Sequence, residues 1–226
     1  ELRYQLLPYN YSLAFVNSTS GHPLMRPIFM EFPEETWSFT EANSYMWGPS
    51  LLVHAITDSM KSSNDVVYIT KLPTKVNWFD FHTGKLVHPD ANQLVTTTKT
   101  LQYIPVFAKS GAFIPRINTI SSTAQYTDTL VTLHCYLARP EAADTSVFLW
   151  YEDDGATKNA VLKGAAKMLR CEAISKANCY TLTLSPTIQD YAVLPFFQFE
   201  WAFHMDQAPK TVKVNGKKEK FTFDAA

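Results

Sequence analysis

Glycine is scarce: there are seven in 226 residues, about 3% where about 7% is usual. That excludes a protein built on phosphate-cradling glycine loops, and neither GxGxxG nor GxxxxGK followed by Ser or Thr occurs. Charge is also sparing. Twenty Lys+Arg oppose 21 Asp+Glu for a formal net charge of −1. No basic surplus exists to neutralise phosphates, which argues against nucleic acid or an anionic membrane as partner. No apolar run approaches the roughly 18 residues a membrane span requires. Cysteine is limited to Cys135, Cys171 and Cys179, without CxxC spacing, so neither a zinc site nor a disulfide framework is expected. A Cys171–Cys179 bridge across a hairpin is one reading; free buried thiols are the favoured one.

What is abundant points to β-structure. The apolar fraction is 46%, with 13 Pro, 5 Trp, 11 Tyr and 15 Phe, a composition that suits strands around a bulky core. The helical signal is confined to residues 2 to about 18. There Leu2, Leu6, Tyr9, Leu13 and Val16 recur at spacings of four and three. Leu7, Ala14 and Phe15 widen that face, as in a helix sandwiched between other elements. Pro8 should kink or restart it, and Ser18-Thr19-Ser20-Gly21 should end it.

Beyond Gly21 the period changes to two. Strands are expected at Leu24–Phe32, Leu51–Ile56, Val66–Thr70, Val76–Phe81, Gln93–Thr98, Tyr103–Ala108 and Ala112–Pro115. A second group is expected at Leu130–Leu137, Ser146–Glu152, Lys167–Ile174, Tyr180–Leu184, Phe196–His204, Thr211–Val214 and Lys220–Phe223. Asn215-Gly216 is the strongest hairpin signal, since both residues accept the positive φ of a type I′ turn. The polar stretch Asn118–Asp128 places a domain boundary between two antiparallel β-sandwiches in series.

Candidate chemistry is thin. Tyr151-Glu152-Asp153-Asp154-Gly155 can be read as an acid/base pair or part of a calcium site. Neighbouring strand residues point to opposite faces, however, so the favoured reading is a solvated turn whose carboxylates cap backbone donors. His22, His54, His82, His88, His134 and His204 show no metal-ligand spacing; His82 and His88 with Asp80 and Asp90 form the nearest thing to a cluster. No G-x-S-x-G elbow occurs. Trp37, Trp47, Trp78, Trp150 and Trp201 are sugar-stacking platforms or core residues; core is favoured, least firmly for Trp37 and Trp78. Asn10-Tyr11-Ser12 and Asn17-Ser18-Thr19 match the glycosylation pattern but fall in or at the edge of a helix, so both read as chance. The chain starts at Glu1 without methionine or a signal segment and ends abruptly at Ala226, and both ends are expected to be cut from something longer.

Several blocks carry a resemblance. Leu2-Arg3-Tyr4-Gln5-Leu6-Leu7-Pro8-Tyr9, then Met25-Arg26-Pro27-Ile28-Phe29-Met30-Glu31-Phe32-Pro33, resemble glycoside hydrolase family 31, the α-glucosidase and α-xylosidase family. Gly48-Pro49-Ser50-Leu51-Leu52-Val53, Trp78-Phe79-Asp80-Phe81-His82-Thr83-Gly84, Ile104-Pro105-Val106-Phe107 and Gly111-Ala112-Phe113-Ile114-Pro115 follow in the family's order and at about its spacing. The Tyr151–Gly155 block is similar to an acidic hairpin of the family's distal C-terminal domain. Two departures stand out: Lys85–Gln93 lacks the family's frequent glycines, and Lys109 stands where arginine is frequent.

The resemblance implies a mainly β chain of three parts. Residues 1–21 would be the last helix of a truncated (β/α)8 catalytic barrel, 22–117 a proximal β-sandwich and 118–226 a distal one. It implies a parent enzyme that hydrolyses terminal α-linked sugars with retention, through one carboxylate nucleophile and one acid/base. Both catalytic aspartates would lie upstream of Glu1. No catalytic, cofactor-binding or metal-binding residue is therefore assigned here, and no cofactor. The expected partners are the upstream barrel and, through the parent, an α-linked oligosaccharide. The alternatives are a non-catalytic carbohydrate-binding sandwich, or an α-xylosidase parent. No compartment is assigned.

Overall fold

The computed structural model describes residues 1–57, 66–99, 103–126, 130–138, 144–176, 179–188 and 198–223. The chain opens on a helix broken once. Helix α1 (Leu2–Gln5) and helix α2 (Leu7–Ser20) meet at Leu6. Pro8 lies in the first turn of α2, where its missing N–H leaves no helical bond unmade. The proline restarts the helix, one of the two outcomes its position predicts. Leu6, Tyr9 and Leu13 of the expected stripe are buried, while Leu2 and Val16 are half-buried.

Seven strands follow: β1 (Met25–Arg26), β2 (Ser44–Trp47), β3 (Leu51–His54), β4 (Val66–Lys71), β5 (Trp78–Asp80), β6 (Leu94–Lys99) and β7 (Val106–Lys109). Five make an antiparallel sheet in the order β1-β2-β3-β7-β5, and β4 pairs with β6 alone. The five-stranded sheet is covered on both faces. Leu51, Val53, Phe79, Val106 and Ala108 face the core that also receives the helix. Their neighbours Leu52, Trp78 and Phe107 face a second core with Ile28, Phe32, Met46 and Leu72. Two buried faces explain why Leu51-Leu52-Val53 reads as an unbroken apolar run.

The strand expected over Leu24–Phe32 is a correction. Only β1 forms, and helix α3 (Ile28–Glu31) replaces the rest. Pro27 has no N–H for a ladder, and Ile28 and Phe32, four apart, both reach the second core along one helical face. Strand β2 was not expected at all.

The second group comprises β8 (Phe113–Ile117), β9 (Leu130–Leu137), β10 (Asp144–Asp153), β11 (Ala166–Lys176), β12 (Cys179–Ile188), β13 (Gln198–Met205), β14 (Val212–Val214) and β15 (Lys217–Glu219). Sheet β13-β9-β8 and sheet β10-β11-β12 share a core through Val131, Leu133 and Cys135 on one side and Phe148, Trp150 and Cys171 on the other. The fold is mainly β with several antiparallel sheets, as expected, with one exception. Strands β9 and β13 pair in parallel. A parallel neighbour needs a long crossover, and the β10-β11-β12 meander supplies it. Asn215 and Gly216 have φ of 51° and 81° and join β14 to β15. That two-residue turn sends the chain straight back, so the return strand is Lys217–Glu219 rather than Lys220–Phe223. The start of the Phe196–His204 expectation lies outside the described residues.

Cys135 and Cys171 are buried free thiols and Cys179 is exposed. In the β11–β12 register Cys171 faces Leu184 while Cys179 faces Lys176, so the hairpin bridge does not form. Among the described residues no helix is long and apolar enough to cross a membrane.

Candidate functional site

The acidic block at the end of β10 is where helix and sheet meet. Alternation along the strand sends Glu152 one way and Asp153 the other. Glu152 is buried and accepts bonds from the Tyr126 hydroxyl at 2.9 Å and 3.0 Å and from Trp150 Nε1 at 3.0 Å. Asp153 turns toward the helix. Its Oδ1 accepts the Tyr11 hydroxyl at 2.6 Å and the Gly155 N–H at 2.8 Å, and its Oδ2 accepts the Tyr151 hydroxyl at 2.7 Å. Asp154 caps the turn by accepting the N–H groups of Ala156 and Thr157, and those bonds with the Thr157 hydroxyl hold its carboxyl below the usual range.

The helix completes the arrangement. The Phe15 ring lies flat on Tyr151, with centroids 3.8 Å apart and planes at 8°. The buried Ser12 Oγ donates to the Pro8 carbonyl at 2.7 Å and accepts the Tyr151 N–H at 3.0 Å. Burial, reinforced by Asp153, pushes the Tyr11 and Tyr151 hydroxyls far up, so both stay protonated donors. This is a clamp: Asp153, Ser12 and the Phe15–Tyr151 stack hold α2 against β10, while Glu152 anchors Tyr126 and Trp150 and Asp154 caps its own turn. Replacing Asp153 by alanine is expected to cost about 2 kcal/mol, with Tyr11→Phe adding little in that background. Urea melts of the two single variants and the double variant would check this; additive losses would mean the pair does not act together.

On its other flank, α2 meets the five-stranded sheet. The Tyr9 hydroxyl donates to the Trp47 carbonyl at 2.7 Å, its ring stacks on Phe148 at 5.5 Å, and Trp47 Nε1 donates to Asn10 at 2.9 Å. Asn10 is thus engaged and Ser12 buried, which suits the chance reading of that glycosylation match.

The remaining candidates fall to structural tasks. Asp80 Oδ1 accepts the N–H groups of His82 and Thr83, its Oδ2 accepts the Tyr103 hydroxyl, and His82 bonds the Ile104 carbonyl. Asp90 caps Asn92 and Leu94, and His88 is exposed. Among the described residues no three His, Cys, Asp or Glu side chains converge as metal ligands. Trp78 and Trp150 are core residues, so the doubt over Trp78 resolves toward packing. Trp37 is half-buried, donating to Glu35 at 2.7 Å beneath the Lys71 ammonium. Trp201, stacked on Phe203, is the most exposed at 37%.

Sequence reasoning missed the helix half of the clamp and a bonded histidine pair, His134 and His204. Tyr11 and Phe15, four apart with Ser12 between, are the signal that can be found in hindsight. It also missed Glu35, a buried carboxylate that accepts the Thr74 N–H and hydroxyl at 2.5 Å each, whose bonds hold it below its ordinary range against burial.

Residues 21–114 match the model of the glycosyl hydrolase family 31 C-terminal domain. The α-xylosidase of Saccharolobus solfataricus is 32% identical over 157 residues, 69% of this chain and 20% of that protein. The chain belongs to glycosyl hydrolase family 31. Other family relatives agree: human neutral alpha-glucosidase C is 36% identical over 155 residues, 68% of this chain and 16% of that protein. The family 31 dextranase of Flavobacterium johnsoniae superposes with a TM-score of 0.79 at 25% identity, covering 97% of this chain and 26% of that one. The chain thus spans a fifth or less of the length of these two curated relatives.

Proposed function

We propose that the chain is the C-terminal accessory region of a retaining α-glycosidase, with α-glucosidase-like hydrolysis of terminal α-linked sugars as the parent activity. In this reading residues 1–21 are the last helix of the catalytic barrel, 22–117 the proximal sandwich and 118–226 the distal one. Strand β8 extends from the first into the sheet of the second, where it pairs with β9. The role of the region is structural: it grips one barrel helix from two sides and so braces the barrel. Nucleophile and acid/base belong to the upstream part of the polypeptide, and an α-linked oligosaccharide is the substrate of the whole.

The observation that carries this reading is the double grip on α2: Tyr9 against Trp47 and Phe148, and Tyr11, Ser12 and Phe15 against Tyr151 and Asp153. Every carboxylate of the acidic block is engaged, Asp153 by that grip, Asp154 by its turn and Glu152 by Tyr126 and Trp150, which leaves none poised for a sugar. Turnover of an aryl α-glucoside and an aryl α-xyloside by the 226-residue chain and by the full-length polypeptide provides the test. The chain alone is expected to be inactive and the full-length protein active. Turnover by the chain alone that Asp153→Asn abolishes would overturn the scaffold role.

A further inference from the structure

Strand β13 pairs with β9 over its whole length and shares with it a pair of histidines that the scaffold reading leaves unexplained. In the parallel β9–β13 register, His134 faces Ala202 and His204 faces Tyr136, which makes the two imidazoles diagonal neighbours on one face. His134 Nδ1 lies 2.9 Å from His204 Nε2. The His204 ring stacks on Tyr136 with centroids 4.3 Å apart and planes at 11°. The turn after β5 backs onto the same ring so closely that a Cβ on Gly84 would stand 2.3 Å from His204 Nδ1. One pair of rings therefore joins three elements: β9, β13 and the Gly84 turn.

The charged surroundings are one-sided. From β8, the Arg116 guanidinium lies over Phe81 at 4.1 Å and donates to the Tyr136 hydroxyl at 3.0 Å, and its buried Nε has no acceptor among the described residues. From β9 comes Tyr136, whose hydroxyl burial holds at about 12. From the turn come Asp80 and His82, but Asp80 is taken by Tyr103 and the turn amides, and His82 by the Ile104 carbonyl. No carboxylate bonds either imidazole among the described residues.

An imidazole–imidazole hydrogen bond needs one ring to donate and the other to accept, so at least one must be neutral. A doubly protonated pair offers only donors and sets two more positive charges beside Arg116. We propose that His134 and His204 form an acid-released latch, which when neutral holds β13 and the Gly84 turn on β9, and when protonated releases them together with the β14–β15 hairpin. Burial, then Arg116 and His204, lowers His134 from 6.5 to about 3, and burial, then Arg116, lowers His204 to about 4. A released strand binds protons below about pH 6.5 that the closed latch refuses. The closed state therefore loses stability as pH falls from there toward the folded values, and is fully stable only above that window.

Hydrogen exchange on the 226-residue chain from about pH 7 to about pH 4 tests the latch. Protection factors in β13 and in residues 82–86 are expected to fall steeply below about pH 6, approaching about a hundredfold per pH unit because release takes up two protons, and ahead of β10 and β11. The double variant His134→Asn with His204→Gln puts non-titrating amides at the bonding positions and should remove that dependence. Identical pH profiles in both proteins, or β13 opening together with β10, would overturn the proposal. Nitrogen-15 spectra of the unmodified protein provide a readout that needs no variant. Both imidazoles are expected to remain neutral at about pH 5, whereas titration of both near the ordinary histidine value would sink the idea.

Discussion

Gly48→Ala is expected to destabilise the chain by about 3 kcal/mol, lowering the thermal midpoint by about 6–12 °C for a protein of this size. Two costs combine. Gly48 has φ of +61°, a left-handed conformation that costs an L-residue roughly 1–2 kcal/mol. A Cβ there would also stand 2.6 Å from the Tyr9 hydroxyl and 2.7 Å from a Leu13 methyl, on the face of α2 that packs against the sheet. Overpacking of that kind typically costs roughly a further 1–3 kcal/mol. Gly155→Ala separates the two terms. Its φ of +65° is similar, but no atom lies within 4 Å of its Cβ position, so only the backbone cost of about 1 kcal/mol should appear. Circular-dichroism melts of both variants decide the matter. Equal losses would show that the contact between α2 and the Gly48 turn is not tight.

The contrast between these two glycines shows where the sequence stops being informative. Both sit in recognisable turns, and nothing local distinguishes the open one from the one pressed by Tyr9 and Leu13. Strand β9 was legible because apolar and polar residues alternate from Val131 to Cys135, and the Asn215-Gly216 hairpin because turn chemistry is local. The β1-to-α3 switch was not legible, because period two and period four overlap in Leu24–Phe32 and only Pro27 arbitrates. In the candidate site, the sequence revealed the Tyr151–Gly155 turn and the opposite facing of Glu152 and Asp153. Its partners are another matter: Tyr11 is 142 residues from Asp153, and Ser12 is 139 from Tyr151. Periodicity says that a helix has an apolar face, but not what covers it. The same holds for His134 and His204, ordinary residues in two separate strands until a parallel crossover sets them side by side.

Tyr9 is where the largest single loss is expected, and a pair of substitutions resolves how it acts. The side chain is fully buried and touches both flanks, through its hydroxyl to the Trp47 carbonyl and its ring to Phe148. Tyr9→Phe keeps the ring and strands the carbonyl, an expected cost of about 1–2 kcal/mol. Tyr9→Ala removes the ring as well, and large-aromatic truncations in cores cost roughly 3–5 kcal/mol, giving about 5 kcal/mol in total. That is a large share of the roughly 5–15 kcal/mol that holds a typical domain together. The loss should also change the shape of unfolding, because Tyr9 joins the five-stranded sheet to β10 through one ring. A single transition in the parent chain is expected to split into two in Tyr9→Ala, with the Trp47 side and the Trp150 side melting apart. Denaturant titrations followed by tryptophan fluorescence and by far-ultraviolet dichroism provide the measurement. Coincident curves with a loss near 1 kcal/mol would mean that the helix is a passenger on the sheets rather than the element that joins them.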